Sequence, residues 1–184
     1  AATGRGGLQV LDLWAERRSK THEELRVAVQ GFGNAGYHFA RLARERGYRI
    51  VALSDSQGAI YAADGLDPDP IWRHKHKNRE LKGMVYCDES VCQEADVEQL
   101  TNEELLALDV DVLVLAALED AVTEQNAATV NAATILEIAN GPVSNAADDQ
   151  LAKRGVEVLP DVLVNAGGVI VSHLEWVQNR IGDT

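Results

Sequence analysis

The sequence predicts an α/β domain with a doubly wound, mostly parallel sheet. Three observations carry that expectation. Five short runs of Val, Ile, Leu and Ala alternate with longer segments of helical periodicity; a glycine string follows the first run and opens a helix; and an acidic residue closes the second run. Strands buried on both faces read as near-continuous apolar runs, and right-handed crossovers between parallel strands place helices on both sides.

The elements follow in order. An amphipathic helix runs from about Leu8 to Arg18, and LRVAVQ (25–30) is the first buried strand. In HFARLARERG (38–47), Phe39, Leu42 and Ala43 share one helical face, Arg41, Arg44 and Glu45 point outward, and Gly47 ends the helix. YRIVALSDS (48–56) is the second strand, and 57–70 is dense in Gly, Pro and Asp, the composition of turns. WRHKHKNRELK (72–82) concentrates basic residues and reads as a solvated helix face, while 83–100 reads as loop. Thr101 and Glu104 form a capping box that opens a helix over 101–109. DVDVLVLAAL (109–118) is the most apolar strand. A helix over 123–132 and a strand over 134–140 follow. A helix over 144–155 has Ser144 as its N-cap and Gly155 at its end. A short strand at 156–160 and a closing helix at 167–181 complete the chain.

With 184 residues the chain fits one domain, and folding at this length buries roughly 70% of the unfolded chain's surface. The net charge of −12 disfavours nucleic acid and anionic membranes as partners, since both call for a basic face. Aromatic residues make up only 5%, so the core must be aliphatic. No stretch approaches the ~20 apolar residues of a membrane helix, and the start AATGRGGLQV lacks the anatomy of a signal peptide. Cys87 and Cys92 are too few for a disulfide framework and wrongly spaced for a zinc site, so reduced thiols, no metal and a cytoplasmic location are expected.

Gly31-Phe32-Gly33-Asn34-Ala35-Gly36 is a G-x-G-x-x-G string, and Asp55 lies 19 residues beyond Gly36. Strand, glycine loop, helix, strand and acid in this order form the dinucleotide-binding fingerprint. Gly31 permits a tight turn, Gly33 lets backbone approach a pyrophosphate, and Gly36 lets the helix lie close to the strand. The helix N-terminus then offers free N–H groups and partial positive charge to phosphates. Asp55 accepts from both ribose hydroxyls and repels a 2′-phosphate, which favours NAD. Ser54 and Ser56 beside it leave NADP open. At the carboxyl ends of the other strands stand Ala116-Ala117, Asn140-Gly141-Pro142 and Asn165-Ala166-Gly167-Gly168. Small residues and amides there suit a nicotinamide ring and its carboxamide.

Longer blocks are more specific than the glycine loop. AATGRG (1–6), VAVQGFGNAG (27–36), SDSQGAIYAADGLD (54–67), TNEELLALDVDVL (101–113), AALEDAVTEQNA (116–127), EIANGPVSNAAD (137–148) and PDVLVNAGGVIVSHLEWVQN (160–179) resemble, in order and over almost the whole chain, the cofactor-binding domain of glutamate dehydrogenases. The leucine, phenylalanine and valine dehydrogenases are relatives whose equivalent blocks read differently. The resemblance implies that Thr3 binds the nicotinamide carboxamide, Phe32, Gly33, Asn34 and Ala35 hold the pyrophosphate, and Asp55 and Ser56 hold the adenosine ribose. It places Ala116 and Ala117 beside the nicotinamide, Asn140 on its ribose, Asn165 by its carboxamide and Ser172 on the substrate's side-chain carboxylate.

The activity so implied is reversible oxidative deamination of L-glutamate to 2-oxoglutarate and ammonia with hydride transfer to NAD(P), in an oligomeric parent enzyme. In that family the reacting Lys and Asp belong to a separate N-terminal domain, the Lys within G-G-x-K-G. None of Lys20, Lys75, Lys77, Lys82 and Lys153 has that context. The chain is therefore expected to hold cofactor without a catalytic residue of its own. Two departures fall near the substrate side: Leu115 stands where proline usually precedes the Ala pair, and His173-Leu174 where Tyr-Phe is typical. His173 is expected to be a packed residue rather than a base. A stand-alone NAD(H)-binding or regulatory module, and a domain of a dehydrogenase for a different L-amino acid, are the other readings.

Overall fold

The computed structural model describes residues 1–78, 81 and 97–181. Its elements are α1 (Ala2–Arg17), β1 (Arg26–Gln30), α2 (Asn34–Arg46), β2 (Arg49–Asp55), β3 (Gly58–Tyr61), α3 (Pro68–Asn78), β4 (Glu98–Leu100), α4 (Asn102–Leu106), β5 (Val112–Leu115), β6 (Thr134–Glu137), α5 (Asn145–Lys153), β7 (Glu157–Leu159), α6 (Asp161–Val164) and α7 (Ala166–Ile181). One sheet contains all seven strands in the order β4-β3-β2-β1-β5-β6-β7. The five expected strands are there, and β2, β1, β5, β6 and β7 pair in parallel.

Both faces of the sheet are covered by aliphatic clusters. On one, Leu8, Leu11, Phe39, Ala43 and Val164 from α1, α2 and α6 meet Val27, Val29, Ile50 and Val114. On the other, Leu105, Leu106, Ala147 and Leu151 from α4 and α5 meet Ala28, Val51, Leu113 and Ile135. This is the doubly wound arrangement, with β1 flanked by β2 and β5 at its centre.

Four expectations need correction. The stretch 57–70 holds β3, which pairs antiparallel with β2, and β4 extends the same edge from within 83–100. These two strands are only four and three residues long, with too little apolar alternation to show in the sequence. The segment 123–132 forms a single 3-10 turn at Ala127–Thr129. There Asn126 accepts the Thr123 amide and donates to the Ala121 carbonyl, a local bonding pattern that competes with a helix. The first helix begins at Ala2 rather than near Leu8, and its glycines let it press on its neighbours: a Cβ at Gly4 would stand 2.7 Å from the Phe39 amide. Finally, Asn165 does not follow a strand, because 161–164 is the single helical turn α6 and Asn165 is its C-cap. Beyond it α7 packs on α1, with Gly167 against Gly6, and leaves Val169, Ile170, Leu174 and Trp176 more than half accessible. His173 shares that exposure, its ring 5.9 Å from Trp176. Cys87, Cys92 and Lys82 lie outside the described residues.

Candidate functional site

The chain leaves β1 and β5 in opposite directions, one connection leading to β2 and the other to β6, so a crevice opens between their carboxyl ends. Gly31 sits at its base with φ of +96°, and a Cβ there would lie 2.6 Å from the Ala117 amide. At Gly36 a Cβ would come within 2.0 Å of the Gly31 carbonyl oxygen. Those two glycines are required by the protein's own packing. Gly33 differs: a Cβ there would meet nothing within 4 Å. Its bareness serves no internal contact and leaves an open cradle above the start of α2.

The first turn of α2 is also uncapped, for Gly33 is its N-cap and no side chain bonds its amides. Helix geometry leaves the N–H groups of Asn34, Ala35 and Gly36 without intrahelical acceptors. Phe32 contributes differently. Its ring is fully buried edge-on against Tyr37 and Trp72, and its N–H already donates to the Ser54 carbonyl at 2.6 Å. Ser54 is buried at 1% exposure beneath Gly31, so of the two serines flanking Asp55 only Ser56 faces solvent.

Asp55 ends β2 with its side chain only 6% exposed. One carboxylate oxygen accepts the Gln57 amide at 2.9 Å, and the other lies 3.3 Å from Lys75 Nζ. Lys75 also donates to the Phe32 carbonyl at 2.8 Å. The basic run is thus no purely solvated face. Trp72 stacks on Tyr37 at 4.3 Å and anchors α3 so that Lys75 turns inward. The signal was present in the spacing, since Lys75 shares a helical face with Ile71 and Trp72, and Ile71 is fully buried.

On the other side of the glycine loop, residues far apart in sequence converge. Thr3, Ala35, Ala116 and Ala117 line one cleft of about 810 Å³, together with Asn140, Asn165 and Ser172. Asn165 Nδ2 donates to Asn140 Oδ1 at 2.7 Å. Gly168 lets Thr3 approach, for a Cβ there would stand 2.5 Å from Thr3 Oγ1. Asp55 and Ser56 lie outside this cleft, at the carboxyl end of β2. One further residue of the region was missed from sequence. Glu137 is buried at 6% exposure behind Asn140, at the end of β6. Among the described residues no cluster of His, Cys, Asp and Glu side chains could hold a metal ion, and no helix is long and apolar enough to cross a membrane.

A doubly wound sheet with a glycine cradle, an uncapped helix start and a small-residue cleft at its switch point defines a dinucleotide-binding type of domain. The model of the Glutamate/Leucine/Phenylalanine/Valine dehydrogenase family matches residues 1–184, and the chain belongs to that family. It is 50% identical over 181 residues to the NADP-specific glutamate dehydrogenase of Synechocystis, covering 98% of this chain and 42% of that protein. To the NADP-specific glutamate dehydrogenase A1 of Halobacterium salinarum it is 44% identical, covering 97% of this chain and 41% of that protein. Among solved structures, the hetero-hexameric glutamate dehydrogenase of Thermus thermophilus in its Leu-bound form superposes with a TM-score of 0.83 at 36% identity, over 96% of this chain and 39% of that one. The chain thus spans about two fifths of the length of these relatives.

Proposed function

We propose that this chain is the NAD(P)-binding part of a glutamate dehydrogenase and does not turn over glutamate by itself. The carrying observation is the convergence of Thr3, Ala116, Ala117, Asn140, Asn165 and Ser172 on one cleft beside the Gly33 cradle. The glutamate dehydrogenase names of the similar proteins favour glutamate over other amino acids as the parent enzyme's substrate. When bound, NAD(P) supplies the hydride acceptor for amino-acid oxidation.

The chain's own residues bind and orient. The free amides at Asn34 and Ala35 hold the pyrophosphate over Gly33, with charge favoured by the helix dipole. Ala116 and Ala117 allow a flat ring to lie against backbone, while Asn140, Asn165 and Thr3 offer donors and acceptors to the nicotinamide ribose and carboxamide. Ser172, exposed on α7, lines the same cleft, and we assign it to the substrate's side-chain carboxylate.

Cofactor preference turns on Lys75. Asp55 by itself would repel a 2′-phosphate, but an ammonium 3.3 Å away offsets that charge and offers the phosphate a partner. We therefore read the site as accepting NADP as well as NAD, in keeping with the NADP-specific relatives. The parent enzyme is proposed to be an oligomer. The test is to assay the complete polypeptide containing this domain with L-glutamate, leucine, phenylalanine and valine. Preferential oxidation of glutamate supports the reading; preference for an apolar amino acid overturns the substrate assignment.

A further inference from the structure

Glu137 is the one charged residue in β6, whose other members are Thr134, Ile135 and Leu136, and it is buried. Its Oε1 accepts the Val143 amide at 3.2 Å and its Oε2 accepts the Asp161 amide at 2.9 Å. Asp161 returns the connection, its Oδ2 accepting the Gly141 amide at 2.8 Å. Two carboxylates therefore cross-link the loop after β6 to the turn after β7: Glu137 accepts one amide from each segment, and Asp161 accepts one from the loop after β6. Gly141, with φ of +53°, provides the bend that brings its amide to Asp161.

Both asparagines of the cleft hang from this staple. Asn140 immediately precedes Gly141. Asn165 caps the single turn of α6 that begins at Asp161, and its amide bonds the Asp161 carbonyl at 2.9 Å. The Asn165–Asn140 side-chain bond closes the ring on the cleft side. An apolar residue at 137 would leave two amides without acceptors, each a costly loss when buried.

We propose that Glu137 is a positioning residue for the nicotinamide end of the cleft, holding Asn140 and Asn165 at a fixed separation through the amides of Val143 and Asp161. This rests on the cleft being the NAD(P) site. The groups facing it are Asp161 of α6 and Asp148 of α5. Burial and these two negative charges raise its pKa against the opposing effect of the two amide bonds. A carboxyl kept in so unfavourable a place is accounted for by the two loops it fixes.

The test compares a whole cofactor with its adenosine half. In the 184-residue chain, Glu137→Gln replaces one acceptor with a donor facing an amide. NADPH affinity should fall about tenfold, the equivalent of one lost hydrogen bond of about 1.4 kcal/mol, while 2′,5′-ADP affinity stays unchanged. Equal loss of both ligands, or loss of neither, overturns the proposal, because a merely structural role would not distinguish the two halves. If Glu137→Gln does not fold, Asp161→Asn is read by the same criterion. Failure of the wild-type chain to bind either ligand would instead reject the cofactor reading beneath it.

Discussion

Lys75 Nζ bridges the Asp55 carboxylate, at 3.3 Å, and the Phe32 carbonyl, at 2.8 Å, so one ammonium joins the acid after β2 to the glycine loop after β1. A residue in this position balances the charge that would otherwise select against a 2′-phosphate. Lys75→Met should weaken NADPH binding by about 1–2 kcal/mol, the scale of a charge-assisted hydrogen bond at a partly open site, and leave NADH binding unchanged or tighter. Fluorescence titrations of both nucleotides give the ratio directly. An unchanged ratio would remove Lys75 from cofactor discrimination.

The glycines of the loop separate into two kinds, and substitution should separate them in turn. Gly33→Ala adds a methyl into open space at a helix N-cap of negative φ, so thermal stability should hardly move. Nucleotide affinity should nevertheless collapse, because in the proposed site that space is where the pyrophosphate approaches. Gly36→Ala forces a methyl onto the Gly31 carbonyl oxygen and should destabilise the fold by at least the ~1–3 kcal/mol of an overpacked core. Thermal melts with and without NADPH check both.

Much of this was legible in the sequence, for identifiable reasons. The buried strands β1, β2, β5, β6 and β7 announce themselves because a parallel sheet covered on both faces leaves no polar alternation. Ala116, Ala117 and Asn140 were legible because they stand just beyond β5 and β6, where topology brings them together, whereas Asn165 follows the helical turn α6 and Thr3 and Ser172, on helices, were carried by the family resemblance alone. What escaped was either short or dependent on tertiary context. Strands β3 and β4 have few residues to carry a pattern. Lys75 sat inside a basic run whose ordinary meaning is solvation, and its inward turn depends on the stacking of Trp72 on Tyr37. Glu137 could have been suspected, because a carboxylate within TILEIAN has no solvent to face.

Away from the cleft, Tyr48 supports the amino-terminal side of the sheet. Its hydroxyl donates to Asp12 Oδ1 at 2.9 Å, its ring stacks on His22 at 4.5 Å, and only 2% of it is exposed. Burial, together with that bond, pushes its ionisation well above the ordinary tyrosine range, so the hydroxyl remains a donor at all working pH values. Tyr48→Phe should cost about 1 kcal/mol in urea denaturation without altering nucleotide binding. Asp12 keeps its pairing with Arg46 Nε at 3.3 Å.

Glu137 also fixes the sign of a pH effect. Its folded pKa is raised by burial above the ordinary value of 4.5, so the native state holds this proton more tightly than the unfolded chain. Linkage then requires its contribution to stability to be favourable at acid pH and to decline as pH rises from about 4.5 through the raised folded value. Glu137→Gln has no such proton. The stability of wild type relative to this variant should therefore fall across that interval, measured by denaturant titration at successive pH values. A constant difference would show that Glu137 titrates as it does in the unfolded chain.

Isothermal calorimetry on the 184-residue chain with NADPH and NADH shows most directly whether it forms the proposed nucleotide site. Saturable binding of one dinucleotide per chain, weakened by Gly33→Ala, is the predicted result. No saturable heat from either nucleotide with a folded chain would contradict the nucleotide-site assignment.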